Sequence, residues 1–274
     1  MSNGARAAAR GFSAAERLAY ERDGYVVRSG EFAGKELDAL RALVEDVTTA
    51  VIERAERPDA RPQVAMADGH RIQFSSHAAI QWEWASGSRE VRLIEPFTHL
   101  HGRFAALWDD ERLRAPMCDA LGADAVAPYT SKLNLKRPHD GSRFPWHQDF
   151  TYWYAFTPGA AHEIATVMLF LDDADADNGA VRVLAGSHRR GPAARDPADP
   201  TRFLADPARL DTSTERIVAV PAGSLLIFPA LMVHRSSPNT SGRQRRAMLL
   251  SFQPAGRPPQ RELEWHPERV DELP

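Results

Sequence analysis

The segment Phe144-Pro145-Trp146-His147-Gln148-Asp149-Phe150 places a histidine and an aspartate two positions apart. Residues i and i+2 of a β-strand leave the same face of the sheet. An extended segment here would therefore bring the His147 imidazole and the Asp149 carboxylate toward one point. A His-x-Asp pair alone occurs by chance in many chains. A second histidine, His234, follows the apolar runs at 225–228 and 231–233 and is predicted to lie at a strand end near the core.

Two histidines and one carboxylate on adjacent strands form the facial triad of non-haem Fe(II) oxygenases. The sequence therefore predicts that His147, Asp149 and His234 bind a metal and leave coordination positions open for co-substrate and O2. The competing interpretation is two structural histidines and a surface aspartate. Among the ten histidines, the only other one with a carboxylate two positions later is His266, in a proline-rich C-terminal stretch. His188 is predicted to cap a turn.

The composition is that of an ordinary globular protein, with 43% hydrophobic and 26% charged residues among 274. A formal net charge of -3 gives no basis for a nucleic-acid partner or an anionic membrane. The single cysteine, Cys118, excludes an intrachain disulfide and favours a reducing compartment. No apolar run approaches the ~20 residues of a membrane span. We expect a cytoplasmic protein whose residues 1–11 form a disordered tail.

From Ala127 onward the hydrophobic pattern has a period of two, with turn residues about every 8 to 12 positions. Short strands are predicted at 129–136, 144–150, 164–172, 180–184, 216–220, 224–228, 231–235 and 245–253. This pattern predicts a mainly β fold with helices, in which a double-stranded β-helix (jelly-roll or cupin-like) core is flanked by N-terminal helices. We expect one oxygenase domain over 12–274: a helical layer over about 12–126, a core over about 127–255 and a C-terminal extension over 256–274.

The N-terminal part is less uniform. Helices are predicted at about 13–22, stopped by Gly24, and at about 34–56. Residues 63–92 include extended segments and could form either a substrate lid or a peripheral strand packed on helices. Residues 91–121 are predicted to be helical and divided by Pro96 and Pro116, because an interior proline breaks or kinks a helix.

An arginine-rich segment follows His234. If the metal binds 2-oxoglutarate, the distal carboxylate of that co-substrate needs a buried cation, and the planar fork of arginine binds a carboxylate through two hydrogen bonds. Arg243, Arg245 and Arg246 compete for this role. Alternate residues of a strand face opposite sides, so only one of Arg245 and Arg246 can face the pocket. Periodicity does not say which.

The chain resembles the phytanoyl-CoA dioxygenase (PhyH) family of Fe(II)/2-oxoglutarate oxygenases over about residues 20–255. The matching pieces are the segment 146–150, Asn178-Gly179, Gly186-Ser187-His188, the segment 234–239, and Arg245. The resemblance implies Fe(II), 2-oxoglutarate and O2 as cofactor and co-substrates, with ascorbate as an aid in vitro, and it assigns the 2-oxoglutarate arginine to Arg245. Ala185 stands where the family has a proline.

Segments 131–136 and 146–153 are also similar to ectoine hydroxylases. This similarity implies that Asn134, Thr166, Ser236 and Arg245 contact 2-oxoglutarate. It further implies that Trp153, and with it Tyr152, lines the substrate pocket. The match ends after Trp153, so the ectoine substrate is not carried over. Lys132, Lys136, Arg143 and the aromatic residues near 152–156 could suit a small polar or anionic metabolite, or they could lie at the surface.

Together these observations predict hydroxylation of an unactivated C–H bond of a small molecule, with release of succinate and CO2. Related halogenases have a small residue at the carboxylate position, so Asp149 favours hydroxylation, desaturation or another oxidation over chlorination. The alternatives are a non-catalytic cupin-like binding protein and a metal-dependent enzyme of the same fold that does not use 2-oxoglutarate.

Overall fold

The structure is a computed structural model that describes residues 10–66, 69–75, 78–84 and 88–273. Residues 1–9 of the predicted tail lie outside it. Its α-helices are α1 (Ala14–Asp23), α2 (Gly34–Ala55), α3 (Gly102–Ala105), α4 (Glu111–Leu121) and α5 (Asp149–Tyr154). Its strands are β1 (Val26–Arg28), β2 (Val64–Ala65), β3 (Arg71–Phe74), β4 (Ala79–Trp82), β5 (Val91–Glu95), β6 (Val126–Lys136), β7 (Phe144–His147), β8 (Ala165–Phe170), β9 (Val181–Leu184), β10 (Glu215–Ile217), β11 (Leu225–Pro229), β12 (His234–Ser236) and β13 (Arg245–Pro254).

The two predicted N-terminal helices are confirmed as α1 and α2. The Ser13 side chain accepts a hydrogen bond from the Glu16 N–H, and the Glu16 side chain accepts one from the Ser13 N–H. This capping box satisfies backbone donors that the first turn of a helix leaves without partners. Gly24 ends α1 with a φ of 83°, a left-handed conformation that glycine adopts without a steric penalty.

Two antiparallel sheets make up the β core among the described residues. The major sheet has the strand order β1-β11-β8-β13-β6-β5-β4-β3-β2, and the minor sheet has the order β10-β9-β12-β7. This is the jelly-roll architecture predicted from the sequence, and the eight strands predicted after residue 127 correspond to β6 through β13. No described helix is long and apolar enough to cross a membrane.

The major sheet separates two hydrophobic layers. Along β8, Val167 and Leu169 belong to the layer shared with α2 and α4, whereas Met168 and Phe170 belong to the layer shared with the minor sheet. This alternation follows from the period of two in a strand that is buried on both faces. We call the side that faces the minor sheet the inner face. The predicted site residues lie either on this inner face of the major sheet or on the minor sheet opposite it.

Three element predictions were wrong. The segment 144–150 is extended only to His147, and Asp149 begins α5. Residues 91–121 begin with strand β5, which pairs with β4 and β6, and α4 begins only after its N-cap, Asp110. Pro116 lies inside α4 and does not divide it.

Within residues 63–92, the described part forms β2, β3, β4 and the start of β5, at one edge of the major sheet. It therefore has the form of peripheral strands, and Trp82 is buried in the layer that contains α2. Residues 76 and 77 of the predicted extended segment lie outside the described residues.

Candidate active site

The two histidines predicted to bind a metal lie side by side. His147 ends β7, and its partner across the pair with β12 is His234. Their ring centroids are 4.2 Å apart. Each Nδ1 lies next to a backbone carbonyl two residues earlier, at 2.7 Å from the oxygen of Pro145 and 3.0 Å from that of Met232. A ring whose Nδ1–H donates to a carbonyl keeps Nε2 free as a metal ligand.

Asp149 reaches the same point from the first residue of a helix. One ligand atom from each of His147, Asp149 and His234 lies within 4.8 Å of the other two. Two imidazoles and one carboxylate with room for further ligands suit a non-haem Fe(II) ion. The grouping predicted from the sequence thus forms in space, although its local geometry is strand followed by helix rather than one continuous strand.

Gln148, between His147 and Asp149, anchors the junction of β7 and α5. Its amide nitrogen donates to the carbonyls of Leu231 at 2.6 Å and Gly191 at 3.1 Å, and its amide oxygen accepts from the Ala193 N–H at 2.8 Å. The side chain is buried. Three hydrogen bonds to separate segments fix the backbone where it changes from strand to helix, and this orients Asp149.

The protonation states of His147 and Asp149 suit metal binding. Burial and the neighbouring His234 lower the pKa of His147 to about 3, so its imidazole is neutral near pH 7. Burial acts to raise the pKa of Asp149, but Lys132 and the two histidines outweigh burial and lower it. Metal ions bind neutral imidazole and ionised carboxylate. No proton has to be removed from either group near neutral pH.

The structure separates the three competing arginines. Arg243 is exposed and pairs with Asp175 at 2.6 Å. Arg246 pairs with Asp172 at 2.7 Å and with Glu45 of α2 at 2.8 Å. Both guanidinium groups are therefore occupied by carboxylates of the protein itself.

Arg245 differs from both. Its side chain is 1% exposed, and Nη2 donates to the Gly179 carbonyl at 3.0 Å. Nε and Nη1 have no hydrogen-bond partner among the described residues. Burial lowers the pKa of Arg245 to about 10, which still leaves a cation at neutral pH. A buried guanidinium with unused donors is suited to an anionic ligand.

The other predicted 2-oxoglutarate contacts on the major sheet share the face of Arg245. Asn134 is paired with Ala247, and Thr166 with Ser251, across β13. Arg245, Ala247 and Ser251 are separated by even numbers of residues, so they point to one face, and directly opposed residues share a face. The Thr166 and Ser251 hydroxyl oxygens are 2.8 Å apart.

The third contact, Ser236, lies on the minor sheet. It follows His234 by two positions on β12 and is 5% exposed. Asn134 Oδ1 is buried without a hydrogen-bond partner among the described residues. These side chains border the space between the two sheets, and their contact with 2-oxoglutarate stays a prediction.

Lys132 lies in the interior rather than at the surface. Its side chain is 15% exposed, and its Nζ is 3.3 Å from Asp149 Oδ1. Burial acts to lower the pKa of Lys132, but Asp149 and Glu95 outweigh burial and raise it. Glu95 accepts a hydrogen bond from the Thr130 hydroxyl at 3.1 Å, and burial raises the pKa of Glu95.

Lys136, four residues further along β6, is 1% exposed. Its Nζ donates to the carbonyls of Ser142 and Ser237. Burial, together with Arg245 and Arg92, lowers the pKa of Lys136 to about 6.

Sequence reasoning missed Glu95, because β5 was predicted to be helical. A usable pattern was nevertheless present in β6, where every second residue is polar while Leu133 and Leu135 are buried in the layer shared with α2 and α4. The polar residues of this alternation are Thr130, Lys132, Asn134 and Lys136. Such a strand is apolar toward the helices and polar toward the space between the sheets. Arg143, in contrast, is exposed.

Aromatic residues of α5 close the other side of this space. Trp153 is fully buried, and its ring stacks edge-on with Tyr129 at 5.5 Å between centroids. Tyr152 packs against Phe156 at 5.5 Å and against Phe203 at 5.6 Å. Phe203 lies in the long segment 189–212 between β9 and β10, which we call the insertion. Lys132 Nζ lies 5.3 Å from the ring of Tyr152 and 5.7 Å from that of Trp153.

Two segments far apart in sequence cover this end of the site. In the insertion, Leu204 forms a β-bridge with His147, and the Ala205 N–H donates to the Trp146 carbonyl at 2.9 Å. In the C-terminal segment, Glu272 accepts a hydrogen bond from Tyr154 at 2.9 Å. No local sequence pattern predicted these contacts.

Asp271 joins the two segments, since it pairs with Arg195 at 3.1 Å and with Arg202 at 2.8 Å. Val270 beside it is fully buried. The insertion and the C-terminal segment are therefore attached to each other as well as to the core.

Comparison with known proteins agrees with this geometry. The sequence profile of the phytanoyl-CoA dioxygenase (PhyH) family matches residues 20–247. The chain is 24% identical over 255 residues to L-proline trans-4-hydroxylase of Streptomyces griseoviridis, covering 86% of this chain and 84% of that protein. It is 26% identical over 282 residues to ectoine dioxygenase of Bordetella parapertussis, covering 94% and 82%.

Solved structures share the fold. EctD from S. alaskensis, with 2-oxoglutarate and 5-hydroxyectoine, has a TM-score of 0.65 at 22% identity and covers 90% of this chain and 77% of its own. The carbocyclase SnoK of nogalamycin biosynthesis has a TM-score of 0.64 at 21% identity, with coverages of 96% and 91%. The family profile spans most of the chain, and the fold and the His-Asp-His grouping agree with it. The chain thus belongs to the phytanoyl-CoA dioxygenase (PhyH) family and is an Fe(II)- and 2-oxoglutarate-dependent dioxygenase.

Proposed function

We propose that His147, Asp149 and His234 hold the Fe(II) ion of a hydroxylase that acts on a small-molecule metabolite. The observation that carries this assignment is the approach of their ligand atoms to within 4.8 Å, with both histidine Nδ1 atoms next to backbone carbonyls. Iron, 2-oxoglutarate and O2 together supply the insertion of one oxygen atom into a C–H bond, with succinate and CO2 as co-products.

Arg245 receives the distal carboxylate of 2-oxoglutarate. It is the buried guanidinium with unused Nε and Nη1 donors, whereas Arg243 and Arg246 are paired with carboxylates. Two charge-assisted hydrogen bonds orient a planar carboxylate as well as hold it. Asn134, Thr166 and Ser236 border the same space. A hydroxyl has one donor and two acceptor sites, so Thr166 can contact the co-substrate and keep its bond to Ser251.

The substrate enters on the side of Trp153 and Tyr152. These rings, with the insertion and the C-terminal segment behind them, exclude water from the reacting bond and limit its orientation. Asp149 occupies the position where halogenases have a small residue, and this supports hydroxylation rather than chlorination. The lone Cys118 suits a reducing compartment, and we place the enzyme in the cytoplasm.

The test is succinate formation and O2 uptake by purified protein supplied with Fe(II), ascorbate and 2-oxoglutarate. Binding of 2-oxoglutarate to the iron-loaded protein is read independently from the visible absorption band of the complex. We expect both signals in the wild type and neither in His234→Ala. His266→Ala is the matched control, because His266 also has a carboxylate two positions later but is not part of the His147, Asp149 and His234 grouping. Retention of both signals in His234→Ala, or their absence from the wild type, would contradict the proposal.

A further inference from the structure

The side of the site proposed for the substrate contains a carboxylate with no cation in direct contact. Glu95 is held by the neutral Thr130 hydroxyl at 3.1 Å. Within the described ranges, no lysine, arginine or histidine nitrogen approaches the Glu95 carboxylate to within 4.0 Å. Leu93 pairs with Asn134 and Ile94 with Leu133, so Glu95, the next residue of β5, lies opposite Lys132 of β6. A partly buried carboxylate is stabilised by a cation or by several donors, and among the described residues Thr130 provides one hydrogen bond.

Lys132 lies on the neighbouring strand but does not pair directly with Glu95. Its ammonium group is directed to Asp149 Oδ1 at 3.3 Å and lies above the rings of Tyr152 and Trp153. Asp149 is also the carboxylate assigned to the metal. Lys132 thus provides positive charge beside the metal position, and Glu95 provides negative charge beside Thr130.

Two hydrogen-bond donors in the same wall also lack partners. The indole Nε1 of Trp153 and the hydroxyl of Tyr129 are buried and make no hydrogen bond among the described residues. Burial raises the pKa of Tyr129, with contributions from Tyr152 and Glu95, so its hydroxyl keeps its proton. Buried donors without acceptors are costly unless a ligand supplies the acceptor.

These groups have two opposite requirements, which one kind of molecule meets. Glu95 needs a cationic donor, whereas Lys132, Trp153 and Tyr129 can all donate to an anion. A molecule that carries only one charge leaves one of the two sets without a partner, and this discriminates strongly against it. Glu95 and Lys132 face the same space from neighbouring strands, one presenting a carboxylate and the other an ammonium group.

We propose that the substrate is a small zwitterion whose ammonium group binds Glu95 and whose acidic group binds Lys132 together with Trp153 or Tyr129. This inference rests on the proposed function, because it names the substrate class of the same site. It assigns specificity to Glu95, a residue outside the metal and 2-oxoglutarate positions.

The experiment uses the iron-loaded enzyme with 2-oxoglutarate. Succinate formation is measured with a panel of α-, β- and γ-amino acids, cyclic imino acids including L-proline, and aminophosphonates. Each is matched by an N-acetyl analogue without the cation and by an amine without the acid. We expect stimulation by one or more zwitterions and by neither analogue. Stimulation by an acid, an amine or a neutral compound alone, or by no zwitterion at all, would overturn the inference.

Glu95→Gln then tests the assigned residue. The substitution removes the charge and keeps the size, so we expect the half-saturating concentration of the active zwitterion to rise about tenfold or more. The preference for the zwitterion over its N-acetyl analogue should fall by a similar factor. Glu56→Gln is the matched control, since Glu56 is a surface carboxylate paired with Arg89. If Glu95→Gln kept the wild-type preference for the zwitterion over its N-acetyl analogue, Glu95 would not be the group that binds the ammonium, even if overall activity fell.

Failure of this inference is distinguishable from failure of the proposed function. If 2-oxoglutarate binds to the iron-loaded protein and yields succinate without substrate, but zwitterions have no effect, the oxygenase assignment stands and the substrate class is wrong. If 2-oxoglutarate does not bind, the proposed function itself is wrong.

Discussion

Lys132 and Lys136 lie on the same face of β6, two residues before and two residues after Asn134. Their electrostatic surroundings nevertheless differ in sign. Lys132 has Asp149 at 3.3 Å and Glu95 nearby, and these carboxylates raise its pKa despite burial. Lys136 is bonded to two backbone carbonyls and lies near Arg245 and Arg92, and its pKa falls to about 6. The pKa of a lysine is therefore shifted upward at one position of this strand and downward at the other.

The difference shows that the two ends of the space between the sheets have opposite electrostatic environments. The Lys132 end contains the carboxylates and the two metal-site histidines, which suits a metal ion and a substrate. The Lys136 end contains an excess of buried positive charge, which suits the distal carboxylate of 2-oxoglutarate. Burial lowers the pKa of both lysines; the neighbouring arginines add to this effect at Lys136, whereas the neighbouring carboxylates reverse it at Lys132.

The largest expected effect comes from removing a ligand at the Lys132 end. Asp149→Ala deletes the carboxylate of the metal grouping and leaves Lys132 without its partner. We expect loss of bound iron and of succinate formation, measured by metal analysis and product assay. Asp175→Ala is the control, because Asp175 pairs with exposed Arg243 away from the metal grouping. Normal iron content in Asp149→Ala would remove Asp149 from the ligand set.

The next effect belongs to the Lys136 end. Arg245→Ala removes the guanidinium that has unused donors, and loss of one partner of a buried charged pair costs about 2 kcal/mol or more. The 2-oxoglutarate concentration required for half-maximal binding should rise roughly 30-fold or more. Iron content should be unchanged.

Arg246→Ala is the matched control for that experiment. Arg246 is the neighbouring arginine, but its partners are Asp172 and Glu45 on the outer face. We expect it to lower the free energy of unfolding and to leave the 2-oxoglutarate requirement close to that of the wild type. If Arg246→Ala weakened 2-oxoglutarate binding and Arg245→Ala did not, the two faces of β13 would have been assigned the wrong way round.

A smaller expected effect is a difference between Lys136 and Lys132 in how the free energy of unfolding depends on pH. Unfolded Lys136 keeps its proton up to a pKa of about 10.4, whereas the folded protein releases that proton above about 6. The unfolded state thus binds more protons between these values, so the Lys136 contribution to stability rises with pH. Relative to Lys136→Met, the wild type should gain about 1.4 kcal/mol in free energy of unfolding per pH unit between about pH 7 and 9.

Lys132→Met is the comparison for that measurement, made by denaturant titration of metal-free protein. The pKa of Lys132 is raised, so Lys132 is protonated in both the folded and unfolded states over this range. The difference between wild type and Lys132→Met should therefore stay constant with pH. Equal slopes for the two variants would show that the ends of the site are not electrically distinct.

Most of the core was predictable because its signal is local. Alternation along β8, β9 and β13 reflects burial on each face, and it located the strands that carry Thr166 and Arg245. The prediction failed at residues 91–121, where Leu93, Phe97 and Phe104 recur at helical spacing and are indeed buried. Pairing of β5 with β4 and β6 is long-range, and it outweighs the local pattern.

The site was predictable to the extent that its residues are close in sequence or belong to a family motif. Periodicity could not choose between Arg245 and Arg246, because the choice depends on Asp172 and on Glu45 of α2. Glu95 was hidden by the error in β5. The covering contacts of Leu204 and Asp271 join distant segments and have no local pattern.

The smallest expected effect concerns the covering segments at the Lys132 end. Asp271 pairs with Arg195 and Arg202, but its side chain is 54% exposed. Exposed pairs contribute about 0–1 kcal/mol and weaken with salt. We therefore expect Asp271→Asn to reduce the free energy of unfolding by less than about 1 kcal/mol, with no change in the 2-oxoglutarate requirement. Val270→Ala, which removes fully buried apolar surface next to it, should cost more, within the range of about 0.5–3 kcal/mol typical of single substitutions. If Asp271→Asn were the more damaging of the two, and its effect disappeared in high salt, the C-terminal segment would be held over the substrate side by charge rather than by packing.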